Sequence, residues 1–130
     1  MAARAALYSL LETDPYLSSL FPRVYAQNSV DTPPEQRFIV IRWEQGDRVF
    51  GNHLSERVSI WFHDKDFHYE AIQQGVDRLR EISSEVIHRE GADGNVLTCV
   101  DWISVGPDLA DDGFHTGTKW VNLLVVSRTA

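Results

Sequence analysis

RFIVIRWE, residues 37–44, decides the fold. Its β-branched and aromatic side chains favour extended chain. Alternation puts Phe38, Val40 and Arg42 on one face and Ile39, Ile41 and Trp43 on the other, which predicts a strand largely covered on both sides. RVSIWFH, residues 57–63, repeats the pattern, with Val58, Ile60 and Phe62 on one face and Ser59, Trp61 and His63 on the other. The two segments predict an antiparallel pair. The 44–56 connection between them is longer than most hairpin loops. It also carries Val49, Phe50 and Leu54, apolar residues that a solvated turn does not need. Together with Arg48 they are read as a contact arm.

Working outward, residues 67–86 place Ile72, Val76, Leu79, Ile82 and Val86 on one stripe, the spacing of a surface helix with one buried face. Asp66 is expected to cap its start, and Glu70 lies in its first turn, where negative charge suits the helix dipole. The glycines of REGADGN end the helix. VLTCVDWISV (96–105) and KWVNLLVVS (119–127) read as two further strands. The second is apolar on both faces from Val121 to Val126, as a central strand is. At the N-terminal side, Ala3, Ala6, Leu7, Leu10 and Leu11 form an apolar helical stripe,. Asp14 before Pro15 is a helix-start signal for a short turn ending at Leu20. RVYAQ (23–27) reads as a short extended segment before the polar linker NSVDTPPEQ,. The expected fold class is therefore α+β: a roughly four-stranded, mainly antiparallel sheet packed against an N-terminal helix and one central amphipathic helix, in a single domain spanning 1–130.

Composition bounds the function. A chain of 130 residues with 43% apolar and 24% charged residues has a core large enough to fold without staples. No apolar run approaches the roughly 18 residues that suggest a membrane span, and MAARAALYSLLE reads as a helix rather than a secretory signal. No membrane partner is expected. The single cysteine, Cys99, excludes an intramolecular disulfide and suits a reducing compartment. A net charge of −7 argues against a protein that grips nucleic acid, because such affinity rests on lysines and arginines neutralising phosphates.

No catalytic signature is complete, and no catalytic, metal or cofactor site is assigned. HDKDFH brings His63, Asp64, Asp66 and His68 within six positions, all metal-binding types. It falls where a strand hands over to a helix, so its side chains diverge, and a helix cap accounts for Asp66. Cys99 lies in an apolar strand without a glycine elbow, and no serine sits in a G-x-S-x-G turn. His53, His88 and His115 are scattered. GADGN and GPDLADDGFHTG lack the ligand spacing of a calcium loop and the lysine of a phosphate loop. Asp101, inside an apolar strand, is expected to face solvent at a sheet edge or to pair with Arg42 or Arg57. Trp43, Trp61, Trp102 and Trp120 fall in four different strands and are read mainly as packing residues.

The order of these pieces resembles a known family. Leu11, Asp14, Leu17 and Leu20, then Arg23–Tyr25, a proline-bearing linker and Phe38–Ile41, resemble the start of the tail terminator (tail completion) proteins of long-tailed bacteriophages. VSIWFHDKD, the helix YEAIQQGVDRLREI and two final strands resemble the rest. The resemblance implies a non-enzymatic structural protein of the virion. It would form a ring, a hexamer, on the head-proximal end of the tail tube, stop tube polymerisation and offer the head-docking surface. The implied partners are further copies of itself, the tail-tube protein and a head-completion or stopper protein, with DNA passing through the lumen without specific binding. The implied place is the head–tail junction of the virion, after assembly in the host cytoplasm. The 106–118 loop is longer and more acidic than the resemblance implies, and Asp111, Asp112 and Phe114 within it are read as a second contact arm. The alternatives are another head–tail connector, such as a head-closure or neck protein, and a small metal-dependent enzyme using the 63–68 cluster.

Overall fold

Four long strands and three helices carry the architecture of the computed structural model, which describes residues 4–27, 37–50, 53–86 and 88–128, with the backbone alone for 45–50. The elements in chain order are α1 (Arg4–Thr13), α2 (Pro15–Leu20), β1 (Arg23–Ala26), β2 (Phe38–Phe50), β3 (His53–Asp64), α3 (Tyr69–Ser84), β4 (Arg89–Glu90), β5 (Val96–Val105), β6 (Leu109–Asp111) and β7 (Thr116–Arg128). One sheet runs in the order β1-β2-β3-β7-β5-β4, and β6 pairs with β7 beyond the end of β5. The neighbours β2, β3, β7 and β5 are all antiparallel, whereas β1 joins β2 in parallel, with Arg23 opposite Phe38 and Ala26 opposite Ile41.

Period-two alternation sorts the side chains. Ile39, Ile41, Val58, Ile60, Phe62, Val121, Leu123 and Val125 face the helices and are buried with Ala6, Leu7, Leu11, Leu17, Ile72 and Leu79 in one core. The apolar stripes expected of α1 and α3 are the buried ones: Leu7, Leu10 and Leu11 on the first, Ile72, Val76, Leu79 and Ile82 on the second. α2 begins as its sequence predicts. The Asp14 carboxylate accepts the Leu17 amide at 2.8 Å and also receives Arg78 from α3, Nε at 2.9 Å and the terminal nitrogen at 2.7 Å. One residue thus caps one helix and ties it to another. α3 lies so close to the α2 exit that a Cβ on Gly75 would overlap the Phe21 ring.

The expected four-stranded sheet with one central helix is incorrect: seven strands form a mixed sheet, covered by three helices. The three additional strands are short. RVYA, RE and LAD hold four, two and three residues; the first reads from sequence as a short extended segment, the other two are too short for periodicity to register, and each is fixed by the longer strand beside it. The 44–56 connection is not a loop either. β2 continues to Phe50 and β3 starts at His53, with Gly46 opposite Glu56 and Arg48 opposite Leu54. Gly46 and Asp47 disfavour a strand, but the register shifts between Trp43 and Gly46, where a bulge accommodates them. A further correction concerns Asp66. The residue before α3 is His68, which makes no side-chain cap, and it is Asp64 that accepts the backbone amides of Asp66 and His68, at 3.0 and 3.3 Å.

Candidate functional site

The helix-free face of the sheet collects most of the residues singled out in the sequence. Phe38, Val40 and Arg42 of β2, Ser59, Trp61 and His63 of β3, and Trp120, Asn122 and Leu124 of β7 share it, by the alternation that buries their neighbours,. At one end the face is roofed. β6 pairs with β7, Leu109 opposite Thr118 and Asp111 opposite Thr116. The Asp111 carboxylate accepts the Phe114 amide at 2.8 Å. That turn drops the Phe114 ring edge-on to both Phe38, at 5.6 Å, and His63, at 5.3 Å.

His63 is consequently enclosed. Its ring stacks on Phe38 at 4.6 Å and 7°, and Nδ1 lies 2.8 Å from the Thr116 hydroxyl. Burial pushes its pKa down from 6.5 to about 4, against a smaller upward pull from Asp111. The imidazole is therefore neutral at physiological pH and serves as a packing and hydrogen-bonding group. A shallow groove of about 180 Å³ opens beside it, lined by Val40, Arg42, Trp61 and Phe114 among others.

Asp64, the next residue, points the other way, so the 63–68 cluster splits. Oxygen or nitrogen atoms of Asp64, Asp66 and His68 lie within 4.8 Å of one another. Asp64 is already engaged: beyond its two backbone amides it accepts Arg37 Nε at 3.0 Å, and its side chain is only 4% exposed. Asp66 and His68 are exposed. The turn is organised by the Arg37–Asp64 pair, and His63 takes no part in it.

The interface residues expected from sequence fall at two places. Arg48, Val49 and Phe50 lie on β2 and Leu54, half-buried, on β3; the side chains of the first three lie outside the described residues. Asp111 and Phe114 form the roof over His63, and Asp112 beside them is exposed. Asp101 is exposed on β5 and makes no ion pair with Arg42 or Arg57; its carboxylate accepts the Cys99 thiol at 3.4 Å. Burial first, then Asp101, raises the Cys99 pKa, which keeps it a thiol rather than a nucleophilic thiolate. The roof over His63 was missed in the sequence. The signal available was the pair of aspartates ahead of Gly113 and Phe114, which marks an Asx-type turn delivering an aromatic residue.

No protein-family model matches the chain, and no curated protein matches its sequence. The class defined by fold and site is a sheet-rich domain of a mixed, mainly antiparallel sheet with helices on one face and a partly roofed second face. Among the described residues no helix is long and apolar enough to cross a membrane.

Proposed function

We propose that the protein is a structural subunit of a ring that caps the head-proximal end of a long-tailed phage tail tube, ends tube polymerisation and offers the surface on which the head docks. The resemblance of element order and spacing along the chain motivates this reading. The observation that carries it is the asymmetry of the sheet: β1 and β2 form one end, β5 and β4 the other, and the two ends differ in sequence, direction and exposure. A closed ring is a heterologous assembly in which one patch of each subunit meets a different patch of the next. A single sheet with two unlike ends supplies such patches without further elements. The acidic composition, −7 overall, suits a bore through which DNA slides without being held.

Light scattering over a wide concentration range, with and without purified tail-tube protein of a long-tailed phage, tests the proposal. A closed oligomer, alone or formed on tubes, is the expected result. A monomer at every concentration that also ignores tubes would sink it. Binding to portal-side proteins in place of tubes would move the subunit to the other side of the head–tail joint.

A further inference from the structure

We infer that neighbouring copies of the chain pack head to tail along α3, the turn that carries Phe67 in one copy seating in the cavity at the far end of α3 in the next. The inference rests on the ring reading and specifies its contact.

Phe67 stands out on two counts. Its φ is 59°, a left-handed backbone that bulky residues rarely adopt, and the residue is 43% exposed. The turn holds it there. The Phe67 N–H donates to the Asp64 carbonyl at 3.1 Å, and the Phe67 carbonyl accepts the Tyr69 N–H at 3.0 Å. Its ring rests on Gly117, where a Cβ would stand 3.2 Å away, and meets Tyr69 edge-on at 6.4 Å. The Tyr69 hydroxyl in turn donates to the Leu109 carbonyl at 2.7 Å, and Leu109 is itself 37% exposed. Glycine would hold such a turn without strain, and strained residues gather where a site has a use for them. The result is a fixed apolar knob at the start of α3, with the acids Asp66 and Glu70 exposed beside it.

At the other end of the helix a cavity of about 320 Å³ opens between α1 and α3. Leu10, Ile82 and Val86 give it apolar walls, and Arg78, His88 and Arg89 a cationic side. Asp14 and Glu85 also line it. Asp14 is occupied, because Arg78 bonds both of its oxygens. Arg89 has no carboxylate partner among the described residues: a terminal nitrogen donates to the Ser9 and Thr13 hydroxyls at 2.9 and 2.8 Å, and the buried Nε is unpartnered.

Knob and cavity match in size, charge and direction. A phenyl ring is small enough for the space, since a cavity of about 150 Å³ already holds benzene. With Phe67 against Leu10, Ile82 and Val86, the neighbouring Asp66 comes to the unpaired Arg89. Successive α3 helices then run N-terminus to C-terminus, the favourable order for their dipoles. The sixteen residues of α3 separate the two features by about 24 Å, so one copy uses both at once. Two unlike patches on one subunit make the contact heterologous, the kind that closes into a ring.

Two variants test the contact. Phe67→Gly suits the left-handed backbone, so the chain is expected to fold, as circular dichroism will read. Assembly by light scattering is expected to need about tenfold or more protein. In the second, Asp66→Cys and His88→Cys, both at exposed positions, are combined with Cys99→Ser. Oxidation of the assembled protein is expected to give a ladder of covalent multimers on non-reducing gels, absent with either new cysteine alone. An oligomer that forms normally with Phe67→Gly and yields no cross-link overturns this contact while leaving the ring standing. Normal oligomers that lose only their binding to tubes overturn it as well and move the knob to the tube interface. A wild-type chain that assembles neither alone nor on tubes overturns both readings.

Discussion

His63 shows how one side chain reverses its meaning between sequence and structure. Beside Asp64 it suggests a ligand or a base; between Phe38 and Phe114, bonded to Thr116, it is a buried neutral ring. Its folded pKa, about 4 against 6.5, sets the sign of a pH effect. The unfolded chain takes up a proton below pH 6.5 and the folded chain does not until about 4. Stability from this group is thus complete above pH 6.5 and declines as pH falls through that window, by about 3 kcal/mol at the end. Urea unfolding at several pH values is expected to show the slope, and His63→Phe is expected to flatten it. Asp14 acts in a different window. Hydrogen bonding from Arg78 is the main cause that holds its carboxyl below the usual range, so its contribution persists above pH ~4 and is lost only as pH falls further. Asp14→Ala is expected to cost about 1 kcal/mol from the cap alone. Asp14→Asn, which retains a capping oxygen, is expected to cost less in the same unfolding assay.

At the scale of elements, the long amphipathic ones were legible, and of the short paired ones only RVYAQ was. The stripes of α1 and α3, the Asp14–Pro15 start of α2 and the central place of β7 all follow from local spacing and capping chemistry, and the structure has them. β4 and β6 exist because a longer strand offers them an edge, which no local pattern encodes, while RVYAQ reads as extended from sequence and its β1 pairs in parallel with β2. The start of α3 was misassigned for a related reason. An aspartate three residues before a helix looks like a cap, but Asp64 is anchored by Arg37, 27 positions away, and takes the amides itself. Likewise the tryptophans were placed correctly one per strand, while their faces needed the register: Trp43 and Trp102 pack on the core, and Trp61 lies opposite Trp120 on the other side. Gly75 belongs to this scale as well. Alanine is the better helix former by about 1 kcal/mol, yet its Cβ would strike Phe21 and crowd Phe62. Gly75→Ala is therefore expected to lower the melting temperature, with a net loss of about 1–3 kcal/mol from overpacking.

For the whole molecule, helices cover one face of the sheet and the β6 turn with Phe114 roofs one end of the other. Among the described residues the middle strands β3 and β7 are paired on both sides along their length, whereas β1 covers only part of β2 and β4 only part of β5. The candidate contact segments were legible only as apolar or acidic stretches. Their geometry, a paired hairpin and a turn folded back on β7, depends on contacts between residues far apart in the chain. The scattering experiment examines whether such an assembly exists.

The placement of β7 also bears on synthesis. Thr116–Arg128 is inserted between β3 and β5 and bonds to both, as well as to β6, yet it leaves the ribosome after all three. A nascent chain that has reached residue 115 carries two long strands that have nothing between them to join, each with apolar side chains that β7 covers in the folded protein. Such a chain has to be sheltered from its neighbours until the final thirteen-residue strand arrives to close the gap, and a premature stop in that segment would produce an aggregating polypeptide rather than a weakened one.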